Sequence, residues 1–251
     1  IGSLGQDRAK VVRQPRVRLL ITGDELVVPG HPRKEGQIFE SNSLMLASLV
    51  QRDGGVLEAP LPCVPVSDQR SDIADMLTRP GADIILVSGG SSVGTEDHAP
   101  TLVSELGQLV FHGVAMRPSS PSGIGKVGDA LVFLLPGNPV SCLCAYDIFA
   151  GETIRRLGGR PPGWPYGRIE GVLNERIASD IGRLDYCRVS ITESTETSIS
   201  PLAISGASIL SSTTRADGFV MVPTDLEGYA EGARVEAWRY DMPATHPGEL
   251  Q

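Results

Sequence analysis

The sequence predicts a three-layer α/β domain with a mostly parallel sheet, followed by a small all-β barrel domain. Three observations carry that expectation. Continuous apolar runs, typical of strands buried on both faces, alternate with helical stripes from Val17 to about Leu157. Three of those runs end in short loops of small and acidic residues. Past the Pro- and Gly-rich stretch Gly158–Gly167 the helical stripes stop, and short strand-like runs separated by turn residues take over.

Taken in order, Val17–Ile21 is the first buried strand. Ser41 is placed as an N-cap, and Leu44, Leu46, Ala47, Leu49 and Val50 make a helical stripe that Gly54-Gly55 stops. Val56–Leu61 is the second strand. Ser67 or Asp68 caps a helix carrying Ile73, Met76 and Leu77, which ends at Pro80-Gly81. Ile84–Val87 is the third strand, and a short helix is expected from about Pro100 to Leu106. Leu131–Leu135 is another buried strand, and Asn138 caps a long helix from Pro139 to about Leu157. Arg168–Leu173, Tyr186–Thr192, Gly218–Val222 and Arg234–Tyr240 are the strands of the second domain. The expected division is a tail of some longer N-terminal region over residues 1–13, an α/β domain over 14–160, a β-barrel over 161–242 and a disordered tail over 243–251.

Composition narrows the function. The 251 residues suffice for a sizeable core, and 41% hydrophobic content is that of a globular protein. The 29 Gly and 19 Pro suit a loop-rich chain with short strands. A formal net charge of −8, without a dense Lys/Arg stripe, argues against nucleic acid and anionic membranes as partners. No apolar run approaches the roughly 20 residues of a membrane span, and a cytoplasmic location is expected. Cys63, Cys142, Cys144 and Cys187 have no zinc or disulfide spacing and read as reduced core thiols. His31, His98, His112 and His246 form no pair with ligand spacing.

The loops point to a pocket. Thr22-Gly23-Asp24-Glu25, Ser88-Gly89-Gly90-Ser91-Ser92-Val93-Gly94 and Pro136-Gly137-Asn138-Pro139 each follow a strand, so a parallel sheet brings them to one edge, where such sheets bind ligands. Small residues let backbone N–H groups approach an anion, and the start of a following helix favours one. Asp24, Glu25 and Asp97 beside a phosphate imply a divalent cation. Each residue also has a plainer reading. Asp97 can cap the next helix, Asp24 and Glu25 can be turn formers, the glycines can serve a tight turn, and Asn138 can be a cap first. Ser211, Ser212 and Arg215 are either surface turn residues or groups of the second domain that close on the ligand.

These motifs resemble one family in order. Thr22–Leu26 with Pro29-Gly30, Gly36–Asn42, the Ser88–Asp97 segment (similar to the family's SGGVSVGEYD loop), Phe111–Met116, Leu135–Ser141 and Gly206–Asp217 are similar to the third and fourth domains of molybdopterin molybdenumtransferases, the MoeA and gephyrin E-domain family. The resemblance covers nearly the whole chain. It implies a MogA/MoaB-like α/β domain, insertion of molybdenum from molybdate into adenylylated molybdopterin with release of AMP, assistance by Mg²⁺, and a homodimer. A MogA-type adenylyltransferase is a possible partner. It also implies roles for individual residues: Asp97 and Glu25 catalytic and metal-holding; Thr22, Gly23, Asp24, Ser88, Gly89, Gly90, Ser91, Ser92, Gly94, Lys126, Pro136, Gly137, Asn138, Pro139 and Ser141 binding substrate. The family's MKPGKPxxxGK stretch reads Met116-Arg117-Pro118-Ser119-Ser120-Pro121 here, so Ser120 replaces one Lys and only Lys126 matches the other. That departure keeps a non-catalytic molybdopterin-binding or scaffold module open. A MogA-type adenylyltransferase, whose loop usually reads TGGTG, and a CinA-like hydrolase fit less well.

Overall fold

A computed structural model describes residues 2–59, 61, 63–89, 98–203 and 210–243. The first half runs β1 (Arg16–Ile21), β2 (Leu26–Val27), β3 (Ile38–Phe39), α1 (Asn42–Arg52), β4 (Val56–Leu57), α2 (Arg70–Thr78), β5 (Ile84–Ser88), α3 (His98–Leu106), β6 (Gln108–His112), β7 (Met116–Arg117), β8 (Gly123–Val127), β9 (Ala130–Leu135), α4 (Pro139–Ala145), a π-helical turn (Tyr146–Ala150) and α5 (Gly151–Leu157). One sheet has the order β4-β1-β5-β9-β8-β6. Its first four strands are parallel, and β8 and β6 are antiparallel additions. One face packs Val17, Leu19 and Ile21 under α1 and α4; the other packs Leu20, Ile85 and Val87 under α2 and α3.

The antiparallel edge was not among the expected strands. Glycine hides β8: a Cβ on Gly125 would lie 2.3 Å from Val103 Cγ1, so the residue that weakens the strand pattern is what lets α3 pack there. The second strand is also shorter than expected, ending at Leu57 rather than Leu61. After it, Glu58 turns to Arg18, which is only 2% exposed. Arg18 donates to Glu58 Oε2 and Oε1 at 2.6 and 3.1 Å, and to the carbonyls of Met76, Arg79 and Pro80 at 2.7, 2.7 and 3.1 Å. The chain then leaves the edge of β1, and a cavity of about 410 Å³ separates them.

The helix starts differ in the same way. Ser41 stands at the N-cap of α1 without a side-chain cap bond. The buried carboxylate of Glu40 instead accepts the Ser43 N–H at 2.7 Å. The N-cap of α2 is Gln69, not Ser67 or Asp68. Asn138 occupies its N-cap position, and its carbonyl rather than its side chain is used, accepting from Cys142 N at 2.8 Å. The long helix expected to Leu157 is interrupted by the π-helical turn, which carries the fully buried Asp147. Asp147 accepts from Arg52 NH2 at 3.1 Å and Tyr166 Oη at 3.0 Å, and burial pushes its carboxyl above the usual range.

The second half runs β10 (Tyr166–Leu173), β11 (Ile177–Ala178), β12 (Leu184–Thr192), β13 (Ser198–Ala203), α6 (Leu210–Thr214), β14 (Gly218–Val222), β15 (Gly228–Tyr229) and β16 (Arg234–Pro243). Its sheet order is β13-β10-β16-β14-β12, and a β13–β12 pairing closes it into a barrel. Two serines and Pro201 conceal β13 in the sequence; Ile199 is its fully buried apolar anchor. β7 joins this barrel from the α/β half, pairing in parallel with β12 at Leu184 and Asp185. Val140 and Cys144 of α4 pack on Tyr166, Tyr186 and Phe219, and Phe219 stacks on Tyr186 at 4.1 Å between centroids. Trp164, within the stretch read as a linker, donates to the Asp147 carbonyl at 3.0 Å and seals the joint. Pro243 closes β16, and residues 244–251 of the expected tail lie outside the described residues.

Candidate functional site

Parallel β1, β5 and β9 end side by side at Ile21, Ser88 and Leu135, so the residues after them share one edge. Thr22 N donates to the Ser88 carbonyl at 3.0 Å. Gly89 has φ +94, and a Cβ there would lie 2.1 Å from the Thr22 carbonyl oxygen. A Cβ on Gly137 would lie 3.5 Å from Gly89 Cα. The three loops therefore meet backbone to backbone, and glycine is needed at position 89 for both conformation and space. Gly89→Ala is expected to force the first two loops apart and to weaken binding of a phosphate ligand at this edge by about 10-fold or more, with strain of order 1–3 kcal/mol. Calorimetry with AMP and a thermal melt check it.

Asn42, the first residue of α1, joins this junction. Its Nδ2 donates to Ser88 Oγ at 2.9 Å and to the Gly137 carbonyl at 2.7 Å. Asn42 was part of a recognisable motif but was not among the expected binding residues. An Asn followed by a helical stripe signals a cap, and only tertiary contact reveals that it serves two distant loops.

Asp24 and Glu25 are exposed on the first loop. Asp24 and Asp68 cap each other: Asp24 N donates to Asp68 Oδ2 at 3.0 Å and Asp68 N to Asp24 Oδ1 at 3.3 Å. The Glu25 carboxylate folds back over its own loop, its Oε2 lying 2.8 Å from where a Gly23 Cβ would sit. Ser88 is buried beside Cys142, with Oγ and Sγ 3.6 Å apart. Pro136, Gly137, Asn138 and Pro139 lead into α4, and the Ser141 carbonyl accepts Ser119 Oγ at 2.6 Å. Gly90, Ser91, Ser92, Gly94 and Asp97 lie outside the described residues. Among the described residues, no three His, Cys, Asp or Glu side chains gather as a metal site.

The basic stretch departs from expectation. Lys126 pairs with Leu131 on β9 and Gln108 on β6, and its side chain is exposed. β8 runs antiparallel to β9, so its far end lies away from the loops. Lys126 is four residues of β9 short of Leu135, about 13 Å at ~3.3 Å per residue. The structure does not bring Lys126 to the pocket. Arg117 is committed as well: it forms an ion pair with the fully buried Asp185 of the barrel. Ser120, where the family carries Lys, is exposed near the loops' side of β9, since neighbouring Gly123 pairs with Leu134. Lys126→Ala is therefore expected to change anion affinity by less than about 2-fold, the size of an ordinary surface substitution, as titration with molybdate would measure.

Three of the four thiols are core groups, and Cys63 is half-buried. Cys142, Cys144 and Cys187 are buried, and burial pushes the Cys142 and Cys187 thiols up to about 12. Ser212 accepts from the buried Arg188 at 3.1 Å, so α6 is held to the barrel wall and against α4. Ser211 and Arg215 are exposed. No helix among the described residues is long and apolar enough to cross a membrane.

Comparison with known proteins agrees with this architecture. Residues 18–156 match the family described as "Probable molybdopterin binding domain", and residues 170–240 match "MoeA C-terminal region (domain IV)". Molybdopterin molybdenumtransferase 2 of Mycobacterium tuberculosis is 32% identical over 249 residues, covering 94% of this chain and 59% of that protein. Molybdopterin molybdenumtransferase of Haemophilus influenzae is 28% identical over 238 residues, covering 94% and 58%. A crystal structure of a molybdopterin biosynthesis MoeA protein from Pyrococcus horikoshii superposes with a TM-score of 0.74 at 28% identity, covering 90% of this chain and 54% of that one. The chain thus spans a little over half the length of the relatives it matches. With a match that runs through the whole α/β half and its three-loop edge, the chain belongs to the molybdopterin-binding domain family.

Proposed function

We propose that this chain supplies the pterin-binding part of a molybdopterin molybdenumtransferase, which takes adenylylated molybdopterin and molybdate as substrates and releases AMP. The observation that carries this reading is the meeting of three small-residue loops at one sheet edge, tied together at Ser88. Relatives that bear the transferase name support the reaction. Cleaving a phosphoryl bond and transferring a metal ask the protein for positioning and charge neutralisation more than for acid–base chemistry. The loops at Gly89 and Gly137 would offer backbone N–H groups to the phosphate.

A divalent cation such as Mg²⁺ suits the donor set on the first loop, which is carboxylate oxygen, and Mg²⁺ commonly uses one or two carboxylates plus substrate phosphate. Glu25, with Asp97, would hold it. When bound, the cation would neutralise the pyrophosphate. Thr22, Gly23 and the Ser88–Gly94 loop would orient the substrate around it. The test is molybdate-dependent AMP release from adenylylated molybdopterin. ATP consumption without that substrate would instead favour a MogA-type adenylyltransferase.

A second reading, a non-catalytic molybdopterin-binding or scaffold module, is favoured by one observation. Neither Arg117, held by Asp185, nor Lys126, at the far end of β8, offers the anion a cation, and Ser120 has none. Ser120→Lys is expected to tighten molybdate binding by about 1.5–3 kcal/mol if the added charge bonds the anion, against about 0–1 kcal/mol for a solvated charge. Binding without AMP release in both proteins would favour the module.

Homodimerisation belongs to the same proposal, as does a soluble cytoplasmic setting without nucleic acid or membrane partners. A dimer or a monomer–dimer exchange is expected in sedimentation at micromolar concentration. A strict monomer at high concentration would remove the dimer from this reading.

A further inference from the structure

We propose that Asn42 is the positioning residue that sets the separation of the second and third loops, and through it the shape of the phosphate-holding edge. The inference rests on the reading that these loops hold the pterin phosphate. The β5–β9 ladder ends at the pair Ser88↔Leu135. One planar amide bridges past that end. Its single Nδ2 donates to Ser88 Oγ at 2.9 Å on one side and to the Gly137 carbonyl at 2.7 Å on the other. The two N–H directions of an amide are fixed, so the two acceptors cannot drift apart without losing a bond. Ser88 is in turn joined to the first loop through the Thr22 N–H at 3.0 Å, so all three loops are referred to one side chain of α1.

Asn42 is largely shut off from solvent. It is 7% exposed, and among the described residues its buried Oδ1 has no hydrogen-bond partner. Thr22, 2% exposed, has its Oγ1 in the same condition. A buried acceptor without a donor destabilises the fold. An apolar side chain of similar size would fill this space without that penalty, so packing alone does not account for an amide here. Its donor side accounts for it, because Ser88 opens the second loop and Gly137 lies in the third.

The experiment compares Asn42→Ala with Ala47→Gly, which weakens the same helix by a glycine in its interior and touches no loop. Three quantities are read on each protein: the unfolding midpoint, AMP affinity by calorimetry, and amide exchange at Gly89 and Gly137. Two neutral hydrogen bonds are lost in Asn42→Ala, so AMP affinity is expected to fall about 10-fold or more, and loop exchange to rise by about as much. Ala47→Gly is expected to lower the midpoint while leaving affinity and loop exchange within about 2-fold of wild type. Equal effects of the two substitutions on affinity and exchange would overturn the inference and make Asn42 a residue of general stability. Unchanged loop exchange in Asn42→Ala would overturn it as well. If the wild-type chain binds no AMP, the functional reading falls, and the exchange measurement still decides the role of Asn42.

Discussion

Asp97→Asn is expected to lower molybdate-dependent AMP release by about 100-fold or more, the scale of one strong electrostatic contribution to a transition state. The substitution is chosen because it separates the two roles open to this residue. α3 begins at His98, directly after Asp97, so a helix-capping role is a real competitor. Asn caps a helix about as well as Asp, so a cap is kept when the charge is removed. Unfolding should therefore be unchanged while the rate collapses. The check is a rate measured across Mg²⁺ concentrations together with a thermal melt. A full rate at saturating Mg²⁺ would return Asp97 to capping and leave Glu25 as the carboxylate to test next.

Glu58→Ala is expected to destabilise the α/β half by about 3–5 kcal/mol, because it leaves a buried guanidinium without its counter-ion. Arg18 lies inside the sheet layer at 2% exposure, and Glu58 is the carboxylate that faces it. Three carbonyls, of Met76, Arg79 and Pro80, remain as acceptors in the variant, but they cannot neutralise the charge. Urea unfolding measures the loss. The paired substitution Arg18→Met with Glu58→Leu is expected to recover most of it, since a buried ion pair replaced by apolar groups of similar volume is often neutral or better. A loss below about 1 kcal/mol in Glu58→Ala would mean that solvent reaches the pair through the neighbouring cavity and that the pair counts as a surface bridge.

The two effects bear on different links of the chain from sequence to function. The Arg18–Glu58 pair shapes the edge of β1 and pulls the chain out of the strand expected to continue to Leu61. The Asp97→Asn test bears on chemistry. Between them stands the loop junction, where Gly89 and Asn42 turn sheet geometry into a shaped edge. Lys126, the basic residue expected there, faces the opposite end, and the neighbouring Arg117 is spent on the barrel. Ser120 is thus the position at which charge can be added back and its effect measured.

Much of the fold was legible in the primary structure because it rests on local, one-dimensional signals. Apolar runs such as Val17–Ile21 and Ile84–Val87 read as buried strands, and Leu46, Ala47 and Val50 form the buried face of α1, with Leu44 on its exposed side. The three loops were legible for the same reason, since a parallel sheet must deliver its strand ends to one edge. What failed was everything set by contacts between distant residues. β8 and β13 were hidden by glycines, serines and a proline that make sense only against Val103 and within the barrel. The capping bond assigned to Ser41 comes from Glu40, and the N-cap of the second helix is Gln69 while Asp68 turns to the first loop. Lys126 looked like a pocket residue because sequence distance says nothing about strand direction: one antiparallel reversal at β8 carries it to the far end of the sheet. Asn42 looked like part of a helix start, and only packing placed its amide between Ser88 and Gly137. The sequence by itself determined which segments become strands and helices and where the loops between them fall, because burial periodicity is written residue by residue. The tertiary structure alone decided which side chains meet, because strand direction and hydrogen bonds across nearly a hundred residues have no local signature.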